Sequence, residues 1–466
     1  MTNLKIVEIE LPGATLDQCE YMEIGKHTFL KRLNTVKKIM SERNLDFLVI
    51  YGDREHFANL HYMTGYDPRF EESILVIDIE KERPFLLVGN EGMGYKDIAG
   101  LPVEIVLYQT FSLMGQPRFE SRSLEGLLKQ FGLSSEDSVG LVGTKYFGPD
   151  EVSSPKYKSD VPAFITDALR EIAGYESVRN HSDIFMHPQK GLRTHLDAEE
   201  IIAFEYSAQI VYAGVRNLLL GLREGISEFE AAGLFGYAGF PPLSCHITMG
   251  FGENALLGLS SPSPIRRLKI GDYVNFGFGV WGANIARAGV AVSGSEQLSG
   301  QMNGILEELY FPYFSMIKNW YESVSIGKTG GSVFDTVSNF VENPKNGVHL
   351  NPGHLIHRDE WLHSPFYKGS RDVLHSGMAI QCDIISCPGA PLYGVHVEDG
   401  FVLADSGLRE EIQEKSPETA KRFERRREFM RNTLGIEVSD EILPMNDIQA
   451  CLNPYMLRPE RVVSCL

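Results

Sequence analysis

What the sequence lacks narrows it first. Its six cysteines (Cys19, Cys245, Cys382, Cys387, Cys451, Cys465) form no CxxC pair, so neither a thiolate metal centre nor a disulfide framework is indicated. Scattered thiols in a long chain suit a reduced, cytoplasmic setting. Cys382 and Cys387 straddle a candidate strand and are expected as buried thiols. No apolar run approaches the roughly 20 residues that a membrane helix needs. The opening "MTNLKIVEIELPG" has no basic region followed by an apolar stretch, so neither a secretory leader nor a membrane partner is expected. Cationic excess is missing too, since the net charge is -18. An acidic surface repels a phosphate backbone, which argues against nucleic acid as a partner. What is there is a chain of 466 residues, 43% of them apolar, long enough for two domains with separate cores.

Apolar residues at Phe29, Leu30, Leu33, Val36, Ile39 and Met40 recur at helical spacing. "DFLVIYG" (46–52), "SILVIDIE" (73–80) and "PFLLVGN" (84–90) then read as strands, so residues 1–187 are expected to form an α/β domain. "HPQKGLRTH" (187–195) has Pro, Gly and charge but no periodicity, and marks a boundary. Asp197, with Glu200 three residues on, predicts the start of a helix whose buried stripe is Ile201, Phe204, Ala208, Val211, Tyr212 and Val215. Ser227 and Glu230 open the next helix in the same way. "SIGKTGGSVFDTV" (325–337) repeats the Gly-turn-then-helix arrangement after a helix expected over about 301–322, which hints at an internal duplication. A second domain is expected over 188–410. Residues 411–466 are expected as a charged helix with a solvated face, followed by a wrapping tail.

Three segments gather ionisable residues beside strand and glycine signals. "NPGHLIHRDEWLHSPF" holds His354, His357, Asp359, Glu360 and His363; "SGMAIQCDIIS" holds Asp383; "YGVHVEDGFVL" holds His396, Glu398 and Asp399. Residues two apart in a strand share a face. Gln381 and Asp383 therefore point one way and Cys382 the other. His396 and Glu398 share a face, while Val395 and Val397 point into packing. Such strands suit the wall of a pocket, and equally an ordinary half-exposed sheet. "NFGFGVWGANIARAG" (275–289) reads as strand, Gly-rich turn and strand, without a single acid.

These segments, in this order, resemble the creatinase/aminopeptidase P/prolidase family, over roughly residues 28–405. "RLNTVKKIMSERNLDFLVIYGDREHFANLHYMTGY" is similar to the family's helix, strand and "N-x-x-Y-L-T-G" sequence. "LRTHLDAEEIIAFEYSAQI" resembles its "R-x-x-K-S-x-x-E-I", with His195 at the Lys position. "LKIGDYVNFGFG" resembles "GD-x-V-x-x-D-x-G", and "GHLIHRDEWLHSP" resembles "GHGIG…HE-x-P" with a small insertion. "SGMAIQCDI" and "GVHVEDGFVL" resemble "GM-x-x-x-x-EP" and "G-x-R-x-ED-x-x-x-V". The resemblance implies an α/β N-terminal domain and an α+β pita-bread C-terminal domain with an internal pseudo-twofold repeat.

In metal-dependent members two Asp, one His and two Glu bind two divalent ions. Carried across, His354 matches the His, Asp383 replaces the first Glu, and Glu398 matches the last Glu. Gly277 falls where the first Asp belongs and Asn284 where the second does. Gly277 offers no side chain and Asn284 no charge, so two ions held by Asp383 and Glu398 alone would not be balanced. The empty positions also predict a wider pocket. No metal pair is expected. A site without metal leads, and one divalent ion (Mn, Zn, Co or Fe) at His354, Asp383 and Glu398 is the alternative.

His363 matches a substrate-contacting His, and His396 replaces an Arg or similar residue. In creatinase the base is a His in "G-x-H-N-P"; here "LGLSSPSP" places Ser260 near that position, and His246 in "LSCHITMG" is the stand-in. Close carboxylates beside neutral His suit acid/base chemistry, so His354, His363, Asp383, Glu398, His396 and His246 are the expected catalytic set, with Ser260 and Asn284 binding substrate. In creatinase a cation before a core strand reaches the neighbouring subunit's pocket. "DPRFEESILVI" offers Glu71 instead, which points to a cationic or zwitterionic small molecule and a homodimer. The expected activity is creatinase-like hydrolysis, or elimination, of a small C–N compound. A metal-dependent Xaa-Pro peptidase with degenerate ligands and a non-catalytic peptide or ligand binder are the other readings.

Overall fold

The protein is described from a computed structural model, which covers residues 4–120, 122–298, 300–390 and 392–466. It divides into two compact units. One spans Ile24–Arg193; the other joins the first 23 residues to Thr194–Leu466. The opening residues thus leave the expected first domain of 1–187. The reason is a ladder between the chain ends: β1 (Lys5–Glu8) pairs antiparallel with β15 (Arg461–Ser464).

In the Ile24–Arg193 unit, the helix Lys26–Arg43 buries Phe29, Leu33, Val36 and Met40, while Leu30 stays exposed. Asn44, with φ 54°, ends the helix in the left-handed region and donates its N–H to the Met40 and Ser41 carbonyls. The sheet is built from β2 (Phe47–Gly52), β3 (Ser73–Asp78), β4 (Phe85–Val88), β5 (Glu104–Leu107), β6 (Val139–Val142) and β7 (Val178–Asn180), in the order β5-β4-β3-β2-β6-β7. Every residue of β2 is buried. Both its faces are covered, which explains an unbroken apolar run instead of alternation.

The other unit opens on the helix Ala198–Gly221. Asp197 Oδ1 accepts the Glu200 N–H at 3.0 Å, and the expected stripe from Ile201 to Val215 is buried. Ser227 and Glu230 form a reciprocal capping box at the helix Glu228–Gly233. Thr329 caps Gly330–Val341 more simply, its side chain accepting the Ser332 N–H. Both caps also form an isolated antiparallel bridge, Ser227 with Arg267 and Thr329 with Val373. The two halves of the pita-bread fold thus repeat one local device.

Its sheet contains β8 (Thr248–Phe251), β9 (Tyr273–Val280), β10 (Ala283–Val290), β11 (His354–Leu355), β12 (Ala379–Gly389) and β13 (Tyr393–Leu403), in the order β11-β12-β13-β10-β9-β8, with β14 (Ile442–Pro444) also on β13. All these pairings are antiparallel. Trp281 and Gly282 alone connect β9 to β10, with Gly282 at φ +84°.

The helix Pro417–Phe429 departs from its expected solvated face. Arg422 places Nε and Nη2 on Glu205 at 2.8 and 2.6 Å. Arg426 bonds Glu205 at 2.7 Å and Asp447 at 3.2 Å. Burying these guanidiniums is tolerable because each meets a carboxylate fork. Their partners lie far away in sequence, so a local charge run gave no sign of them. Residues 411–466 are accordingly an integral part of this unit. Cys382 is buried but Cys387 is exposed, so only one of that pair meets the expectation. Among the described residues, no helix is long and apolar enough to cross a membrane.

Candidate active site

The sheet register assembles the site. One cross-strand row runs Thr248, Gly277, Ala286, Glu398, Asp383. In the adjoining row Asn284 pairs with Gly279, and Gln381 with Gly400 and His354. His396, two residues from Glu398, shares their face. Strand alternation therefore brings His354, Asp383, His396, Glu398 and Asn284 together, and all five are buried.

His396 Nε2 bonds Asp383 Oδ1 at 2.7 Å. His354 Nε2 lies 3.8 Å from both Asp383 Oδ2 and Glu398 Oε1, while its Nδ1 meets the Leu355 carbonyl at 3.2 Å. That bond, and parallel stacking on Trp361 at 4.1 Å between centroids, fix the ring. Burial alone would raise Asp383, but the His396 bond and the two neighbouring imidazoles outweigh it and hold the carboxyl below its usual range. Burial would likewise lower His396 and His354; the facing carboxylates reverse this and raise both. Glu398 is pushed up to about 7, first by burial and then by the Asp383 charge. Two acids buried side by side do not both ionise cheaply.

Asn284 is the chain's departure from a metal-pair site. Its Nδ2 donates to Glu398 Oε1 and to Glu360 Oε1, each at 2.9 Å. An amide N–H thus points at the carboxylates where a ligand oxygen would have to stand. Gly277 does not widen the pocket as expected, because a Cβ there would lie 2.8 Å from Thr248 Oγ1; the hydroxyl already fills the space. This donor set does not fit two divalent ions. His354, Asp383 and Glu398 do offer ligand atoms within 4.8 Å of one another, which fits one.

Other expected residues stand elsewhere. His363 is beside the cluster through its backbone, whose carbonyl accepts the Leu355 N–H at 2.6 Å. His246 is exposed and bonds the Leu259 carbonyl at 3.1 Å. Ser260 Oγ donates to the Asn254 carbonyl at 2.8 Å, a loop contact. Glu71 is buried in the Ile24–Arg193 unit, where its Oε2 accepts the Gly92 N–H at 3.0 Å; its carboxylate tethers a turn instead of reaching outward. His357 faces Glu200 at 3.4 Å, away from the cluster.

Three contributors had no role assigned from the sequence, although Glu360 stood among the candidate ionisable residues. Glu360 lies in a loop without periodicity, so nothing local aimed it at Asn284. Cys245 is the second: burial, together with the neighbouring Glu360 and Glu398, pushes its thiol far up. Arg287, on the opposite face, places Nη2 at 2.8 Å from both Asp399 oxygens and donates Nη1 to the Glu398 carbonyl at 2.9 Å. It anchors the strand that carries Glu398.

Residues 32–151 match the family model described as the creatinase/prolidase N-terminal domain. No curated protein sequence matches the chain. Among solved structures, the prolidase of Pyrococcus horikoshii OT3 superposes with a TM-score of 0.61 at 17% identity, over 80% of this chain and 95% of that one. The Xaa-Pro dipeptidase of Bacillus anthracis gives 0.59 at 18%, over 82% and 96%. The X-Pro aminopeptidase of Thermotoga maritima gives 0.56 at 16%, over 78% and 95%. The chain therefore carries a creatinase/prolidase-type N-terminal domain and, as a whole, has the fold of the prolidases and Xaa-Pro peptidases.

Proposed function

We propose that the protein is a hydrolase of a small C–N compound, cationic or zwitterionic, working by acid/base chemistry. One observation carries this reading. Glu398 lies between two imidazoles, 3.8 Å from His354 and 3.9 Å from His396, and an Asn284 amide replaces a further carboxylate. The ionised Glu398 takes a proton from water as the water oxygen bonds to the substrate carbon. The C–N bond then breaks, and the same proton passes to the leaving nitrogen. Asp383 favours the protonated form of His396, and the two imidazoles stand where negative charge on the substrate would develop. One divalent ion at His354, Asp383 and Glu398 would, when bound, polarise water or substrate as a Lewis acid. A cytoplasmic homodimer belongs to this reading, without a substrate role for Glu71.

The test is a turnover panel of small amides, amidines and Xaa-Pro dipeptides, with and without chelator. Hydrolysis of a small C–N compound is expected, with kcat reduced by about a hundredfold or more in Glu398→Gln. Turnover of Xaa-Pro dipeptides that a chelator abolishes and a divalent ion restores would replace this reading with a metal-dependent peptidase. Binding without turnover would make the protein a binder.

A further inference from the structure

Glu360 is the acid of this pocket that the acid/base set does not use. Its Oε1 accepts from Asn284 Nδ2, and it is half-exposed, unlike the buried Asp383 and Glu398. Behind it are buried oxygens without a donor among the described residues: Asn284 Oδ1, Gln381 Oε1 and Ser244 Oγ. Asn284 and Gln381 are 3% and 0% exposed, so bulk water does not serve them. Glycines make room for these groups. A Cβ on Gly279 would lie 2.7 Å from both Asn284 Oδ1 and Ser244 Oγ, and one on Gly400 would lie 3.1 Å from Gln381 Oε1. Gln381 donates Nε2 to the Asn284 backbone carbonyl at 3.4 Å, which brings the two side chains into one neighbourhood.

A row of acceptors beside a carboxylate selects its ligand. An anion is repelled. A quaternary ammonium has charge but no N–H, and leaves the amide oxygens unmet. A protonated amine or amidine supplies both. We propose that Glu360, with Asn284 Oδ1, Gln381 Oε1 and Ser244 Oγ, forms a recognition subsite for an N–H-bearing cationic group of the substrate, and that Glu360 sets this specificity. The proposal rests on reading the pocket as the substrate site.

The experiment titrates the full chain with n-butylammonium, n-butyltrimethylammonium and butyrate, by calorimetry or NMR, and repeats it with Glu360→Gln and Ser244→Ala. Butylammonium should bind at least about tenfold more tightly than the other two. Glu360→Gln should weaken it by about tenfold or more, at an unchanged melting temperature, and Ser244→Ala by a few-fold. Equal binding of the three probes, no binding of butylammonium, or full affinity in Glu360→Gln would overturn the proposal. The hydrolase reading fails separately. Glu360-dependent butylammonium binding without turnover of any compound would keep the subsite and sink the hydrolase. Turnover whose KM for cationic substrates is unchanged in Glu360→Gln would do the reverse.

Discussion

At the scale of single residues, Asn284 changes the chemistry by one atom. A carboxylate at this position would add charge; the amide adds two N–H donors, both taken by Glu360 and Glu398. The missing charge was legible in "NFGFGVWGANIARAG". The donation was not, because it depends on a loop acid 76 residues away. Alternation in "YGVHVEDGFVL" separated His396 and Glu398 from Val395 and Val397, and the ladder has the same division. It could not say that Asp399, turned the other way, would meet a buried arginine. That pair is 1% and 0% exposed, and removing one member strands the other charge. Arg287→Met should cost about 3–5 kcal/mol in urea denaturation, and Arg287→Met with Asp399→Leu should recover much of it. A loss under 1 kcal/mol for the single variant would show that Asn446 and Ala450, which also donate to Asp399, suffice alone.

Among elements, the β9–β10 hairpin sets the site. Its two-residue turn pairs Asn284 with Gly279 and so fixes where the amide lies. Gly282 makes the turn possible, with φ at +84°, and a Cβ there would meet the Phe204 ring at 2.3 Å. Both effects oppose a side chain. Gly282→Ala should therefore cost about 2 kcal/mol or more, and lower activity through Asn284 two residues on; thermal denaturation and an activity assay check it. Wild-type stability in this variant would mean that the helix Ala198–Gly221 yields freely. The caps at Asp197 and Ser227 were readable because a cap and its partner lie three residues apart. The helix Pro417–Phe429 was misjudged because Glu205 and Asp447 lie outside any local window.

Over the whole molecule, the fold was legible through the order of modest motifs, each positioned on a strand or turn that the structure reproduces. The joining of the chain ends was not, since β1 and β15 are short and carry no mutual signal. The same order of motifs makes the departures at Gly277 and Asn284 meaningful, because the ladder is intact while a glycine stands in the row of Glu398 and Asp383 and an amide in the adjoining row. Without carboxylates at those two positions the site does not fit a metal pair. Elemental analysis of protein purified without chelator, then incubated with Mn, Zn or Co and desalted, tests it directly. No more than one divalent ion per chain is predicted, and any such ion should be lost in Asp383→Asn; two ions per chain would contradict the account.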